Sequence, residues 1–128
     1  MSVVAPYAAL LGLVFAGLSV RTLRLRRTLK VAVGDGGNAR MLRAMRVHSN
    51  FAEYVPLCLL LVYFCELQHS PAWQLHGLGA GLLAGRLVHA YGVSQEREDF
   101  RLRVFGMAMT LTTLIASSLL LLAHAMGL

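Results

Sequence analysis

The sequence predicts an all-α integral membrane protein, a single four-helix bundle, and three observations carry that prediction. Of 128 residues, 57% are hydrophobic and 14% charged, and the mean hydropathy is +0.63. A soluble domain of this size could not bury so much apolar surface. Uncharged stretches at 3–20 and 104–128 are each long enough to cross a bilayer as one helix. Between them lie two less pure apolar segments, about 47–67 and 71–91. The third observation is the distribution of charge. Arg21, Arg24, Arg26, Arg27, Lys30, Arg40, Arg43 and Arg46 stand in one segment against Asp35 alone, and Arg97, Arg101 and Arg103 in another. The link at 68–71 has no Lys or Arg. The positive-inside rule then puts both basic segments in the cytoplasm and both termini on the other side of the membrane.

Helix 1, about 3–27, has no basic residue before its apolar run. It is read as a retained span, not a cleaved signal. It is expected to end in the Arg-rich run LRLRRTLK (23–30). VGDGGN (33–38) is a loop by its glycines and aspartate. Helix 2, about 39–67, carries basic first turns, and Pro56 should bend it. Cys58 and Cys65, two turns apart and about 10 Å along the axis, are too distant to bridge and read as small buried hydrophobes.

Ser70-Pro71 opens helix 3, about 71–93, because a proline at an early helical position loses little. Gly77, Gly81 and Gly85 form two small-xxx-small pairs suited to close helix packing. SQEREDF (94–100) is a charged loop, and helix 4, about 100–126, follows; Ser117 and Ser118 should bond back to their own helix. The whole chain, 1–128, is one domain. His69, His76 and His124 read as interfacial or packing residues, and Tyr7, Tyr63 and Trp73 as belt or packing aromatics. No His, Cys or carboxylate grouping has metal-ligand spacing.

Polar groups at membrane depth carry the functional signal. In MRVHSNFAEYVPLCLLLVYFC, Arg46, Asn50, Glu53 and Tyr54 share one helical stripe at i, i+4, i+7 and i+8. Each ionisable group there costs roughly 2.5–3.5 kcal/mol to insert. Arg86 and His89 on helix 3, and Arg101 and Arg103 opening helix 4, come to the same level. A ligand suited to them would carry carboxylates for the arginines, an amine for Glu53 and amide edges for Asn50 and His48. A small anionic peptide has these groups. A guanidinium near a thiol on that ligand would favour the thiolate, a usable nucleophile at neutral pH. The structural alternative is that Arg46 and Glu53 neutralise each other within helix 2 while Arg86 snorkels to the interface.

The stretch RAMRVHSNFAEYVPL (43–57), the later RLVH (86–89) and an arginine opening helix 4 resemble the MAPEG family, membrane-associated proteins in eicosanoid and glutathione metabolism. The resemblance covers nearly the whole chain and is most specific in helix 2. It implies a homotrimer that binds glutathione in clefts between subunits near the cytoplasmic face, with lipophilic substrates arriving from the bilayer. By position, Arg46, Asn50, Glu53 and Tyr54 match glutathione-contacting residues, and His48 lines the same site. Arg26 and Arg27 resemble the basic pair that reaches the glutathione carboxylates of an adjacent subunit. Arg86 and His89 match the helix 3 pair, and Arg103, with Arg101 as the alternative, matches the thiolate-stabilising arginine. Members with well-defined activity often carry a tyrosine about two turns after the helix 3 arginine. Here Val93 stands there, and Tyr91 is the nearest phenol. The 94–100 loop is also longer than in some members.

The expectation is therefore a glutathione-dependent transferase or peroxidase acting on lipophilic electrophiles or lipid hydroperoxides, with no metal, in a bacterial inner membrane. Its expected partners are itself, membrane lipids and a lipophilic substrate. The rival is a non-enzymatic scaffold that binds glutathione or lipid, which Val93 favours. A transporter subunit is disfavoured because the polar groups gather at one face and form no path across the bilayer. Nucleic-acid binding is disfavoured because no soluble domain presents a surface for it.

Overall fold

The computed structural model describes residues 2–127. Four helices follow one another: α1 (Val4–Leu29), α2 (Ala39–Leu67), α3 (Ala72–Ser94) and α4 (Phe100–Ala125). Their ends lie within two residues of the sequence expectation. The largest difference is α1, which runs through nearly all of the Arg-rich run at 23–30 because Leu and Arg are strong helix formers. It stops where Lys30 turns left-handed at φ 55° and its N–H returns to the Arg26 and Arg27 carbonyls. The Asn38 side chain accepts from the Met41 N–H and caps α2, and Asp99 accepts from the Arg101 N–H to cap α4. Helix α2 continues through Pro56 to Leu67.

α1, α2 and α4 are each long and apolar enough to cross a membrane. α3 is less apolar, because its glycines, Gln74, His76, Arg86 and His89 dilute it. It is instead well enclosed: α2 and α3 each touch all three other helices, whereas α1 and α4 do not meet. The interior holds two apolar layers. Leu11, Phe51, Val55, Cys58 and Leu82 form one, and Val4, Val62, Cys65 and Leu75 the other. Both cysteines are free and buried. The exterior keeps many large apolar side chains, among them Leu13, Trp73, Ile115 and Leu119.

The closest helix approach is between α3 and α4. A Cβ on Gly85 would lie 2.7 Å from the Met109 Cβ and 3.0 Å from the Gly106 oxygen, and one on Gly106 would lie 2.6 Å from the Gly85 oxygen. Gly85 thus serves packing as its spacing suggests. Gly77 does not, since nothing lies within 4 Å of a Cβ built there. At the other end of the bundle Glu66 of α2 clamps the start of α1, accepting from Ser2 Oγ and from the Val3 and Val4 N–H groups. A carboxylate there satisfies open N–H groups and suits the positive end of the helix.

Candidate functional site

The site begins with an arginine that never reaches the surface. Arg86 is 0% exposed, pointing from α3 into the bundle. Its Nη2 donates to Asn50 Oδ1 at 2.8 Å and lies 3.3 Å from His89 Nδ1, while Nη1 donates to Thr110 Oγ1 at 3.4 Å. The guanidinium stands 5.5 Å from the centre of the Phe51 ring, a cation–π contact. Among the described residues its Nε has no partner. No carboxylate forms an ion pair with it among the described residues, so the charge is held by dipoles and a ring. The snorkelling alternative does not describe this side chain.

Arg86 fixes what Asn50 can do. With Oδ1 accepting from the guanidinium, the Asn50 amide is left with its Nδ2 donors. Asn50 can thus offer hydrogens to a ligand carbonyl or carboxylate, but its oxygen is engaged. Tyr54, half-buried, follows it one turn on.

Arg46 and Glu53 lie on the outer face of α2, both exposed and in line with exposed Leu57, Leu60 and Phe64. They are two turns apart, about 10 Å along the axis, and no ion pair joins them. The two ion pairs among the described residues both use Glu98: it accepts from Arg43 at 3.0 Å and from Arg103 at 3.3 Å. Arg43 also donates to the Val93 carbonyl, so this network ties the α3–α4 loop to α2. Arg101 is exposed, and a step of two residues turns it about 200° around α4 from Arg103.

A second polar group lies elsewhere on the same chain. His48 is two residues from Arg46, about 200° round the helix, and faces α1. Its Nε2 is 3.0 Å from Ser19 Oγ and its ring stacks on Phe15 at 4.8 Å. Ser19, Thr22, Arg26, His48 and Ser49 line a cavity of about 340 Å³. Arg26 also donates to the Val31, Ala32 and Gly34 carbonyls, closing the loop after α1. Arg27 is exposed and does not line that cavity. Tyr91 is 63% exposed and about 140° round α3 from Arg86, so it does not join the Arg86–His89 group.

Eight of the residues singled out in the sequence therefore fall into three sets. Arg86, Asn50 and His89 share a buried cluster. Arg46 and Glu53, with Arg103 behind Glu98, stand on one outer side, and Arg26 and His48 on another. Thr110, Phe51 and Glu98 belong to this chemistry and were not foreseen. The threonine in an apolar helix was the one available signal; Glu98 looked like any loop carboxylate. No group of three or more His, Cys, Asp or Glu is placed to hold a metal among the described residues.

The family model described as "MAPEG family" matches residues 4–123, nearly all of the four helices. The chain belongs to the MAPEG family. It is also 39% identical over 109 residues, 85% of this chain and 82% of the relative, to a protein named inner membrane protein YecN from Escherichia coli K12. The protein of the same name from Escherichia coli O6:H1 strain CFT073 matches equally. With three helices able to span a bilayer and relatives named as inner membrane proteins, this MAPEG chain is a membrane protein. The exposed apolar exterior follows from that, because lipid tails solvate such surface at no cost.

Proposed function

We propose that the chain assembles as a homotrimer that binds glutathione between subunits and activates it for attack on lipophilic electrophiles or lipid hydroperoxides. One observation carries the reading: the polar groups suited to an anionic peptide stand on two faces of the same subunit, about 200° apart on α2. No single small ligand can touch both faces of one copy. A ligand lying between two copies can.

The residue types fit glutathione, which has two carboxylates, an ammonium, two amides and a thiol. Arg46 on one subunit and Arg26 on the next offer forks for the carboxylates. Glu53 offers a partner for the ammonium, and Asn50 Nδ2, oriented by Arg86, donates to a peptide carbonyl. Exposed Arg46 and Glu53 on a spanning helix would be costly against lipid tails; a partner subunit and a bound zwitterion remove that cost. The bound glutathione would supply the nucleophile, its thiolate. Arg103 would favour the thiolate by its positive charge, and the apolar flank of the cleft would admit substrates from the bilayer. Both basic segments, and hence the site, would face the cytoplasm.

A second reading, a glutathione-binding scaffold without turnover, has its own support. Glu98 already neutralises Arg103, and Val93 is buried with its carbonyl taken by Arg43. Substitution separates the two readings. Arg103→Ala should remove the thiolate signal and turnover while leaving glutathione affinity within a few-fold. Unchanged turnover would reassign the role to Arg101, and Glu53→Gln with unaltered affinity would remove the ligand site from this face.

A further inference from the structure

On the face of α1 opposite the Ser19–Arg26 cavity, a groove of about 630 Å³ runs between α1 and the start of α2. Its lower part is lined by Ala16, Gly17 and Val20, and its upper part by Arg21, Arg24 and Arg40. The change from apolar to basic falls at Arg21, the first charge after the uncharged stretch that begins at Val3. In a bilayer that is the level of the lipid headgroups at the basic end of the bundle.

Three arginines line this one groove, and among the described residues none has a carboxylate partner. Arg21 is tied to Ser94 Oγ at 2.6 Å, which holds the wall of the groove against α3. Arg24 and Arg40 are exposed and make no side-chain hydrogen bond among the described residues. Arg21 and Arg24, three apart on a helix, repel each other; an anion between the arginines would turn that repulsion into attraction. Below them, Gly17 leaves open space, with nothing within 4 Å of a Cβ built there. From Ala16 to Thr28 the groove covers about 18 Å of helix. A headgroup phosphate accounts for the upper part, and only an attached acyl chain accounts for the lower.

We propose that this groove binds an anionic phospholipid, its phosphate held by Arg24 and Arg40 and an acyl chain lying along Ala16, Gly17 and Val20. Basic pockets between helices at the membrane surface recognise such headgroups, with about 1 kcal/mol for each arginine. The site is separate from the glutathione residues, so its test does not depend on that reading.

The test is native mass spectrometry of the delipidated full chain in detergent, titrated with phosphatidylglycerol or with phosphatidylcholine of the same acyl chains. Phosphatidylglycerol should be retained in preference. Arg24→Gln and Arg40→Gln should each weaken it about five-fold, and the pair about thirty-fold, while Arg97→Gln, on the exposed loop, leaves it unchanged. Gly17→Phe, which keeps every charge and fills the groove, should also weaken retention, and millimolar inorganic phosphate should not displace the lipid. Equal retention of both lipids, wild-type binding by the double variant, or equal loss in Arg97→Gln would overturn the proposal. Displacement by phosphate together with a silent Gly17→Phe would reduce the site to one for free anions and overturn it too.

Discussion

Arg86 decides most at the scale of single residues. Burying a cation without a carboxylate costs several kcal/mol, offset here by hydrogen bonds to Asn50 and Thr110 and by the Phe51 ring. Its consequence for function is the orientation of the Asn50 amide. Arg86→Met should weaken glutathione binding by about 0.5–1.5 kcal/mol, the range for the neutral Asn50 hydrogen bond it would misplace. Asn50→Ala should then add little in the Arg86→Met background, a coupling that a double-mutant cycle by calorimetry would read. Additive losses would mean Arg86 supports the fold without orienting Asn50. Glu98 makes the opposite prediction. Glu98→Gln releases Arg43 and Arg103 and should tighten glutathione binding a few-fold at low salt, fading as salt screens the arginines. Weaker binding would make Glu98 part of the site instead of a competitor for it.

Helices were legible in the sequence because hydropathy and capping residues act locally. The charge-free runs, the loop at 33–38 before α2 and Pro71 before α3 set their elements within two residues. Which way each polar residue turns was not legible, because that depends on neighbours distant in sequence. Asn50 lies only about 40° round α2 from Arg46, yet α3 draws it inward to Arg86 while Arg46 stays exposed. Glu66 likewise finds its partners 62–64 residues away. Glycine spacing named Gly81 and Gly85 but could not exclude Gly77 or include Gly106. Gly106→Ala should cost about 1–3 kcal/mol by forcing α3 from α4, lowering the melting temperature in detergent. Gly77→Ala, in open space, should be neutral or stabilise by up to about 1 kcal/mol. Equal effects of the two would refute the packing described for Gly85 and Gly106.

Over the whole molecule, the chain presents two separate polar faces and an apolar exterior. Assembly would complete the first and the bilayer solvates the second. If the site is shared, Arg26→Ala and Glu53→Ala proteins, each deficient alone, should regain part of their glutathione binding when co-expressed, because some interfaces then combine two intact faces. No recovery in mixed assemblies would place all ligand contacts within one subunit. If both proposals hold, the basic run of α1 serves two purposes on opposite faces of the helix, with Arg26 turned to the peptide ligand and Arg24 to lipid phosphate.

If the polar groups of two neighbouring copies hold glutathione as its thiolate, one titration shows it. Detergent-purified protein would be titrated with glutathione while the ultraviolet thiolate band is followed in the same sample. Saturable binding is expected, with a thiolate signal that rises in step and vanishes in Arg103→Ala. Binding without the band would contradict activation, and absence of binding would return Arg46, Glu53 and their neighbours to a purely structural role.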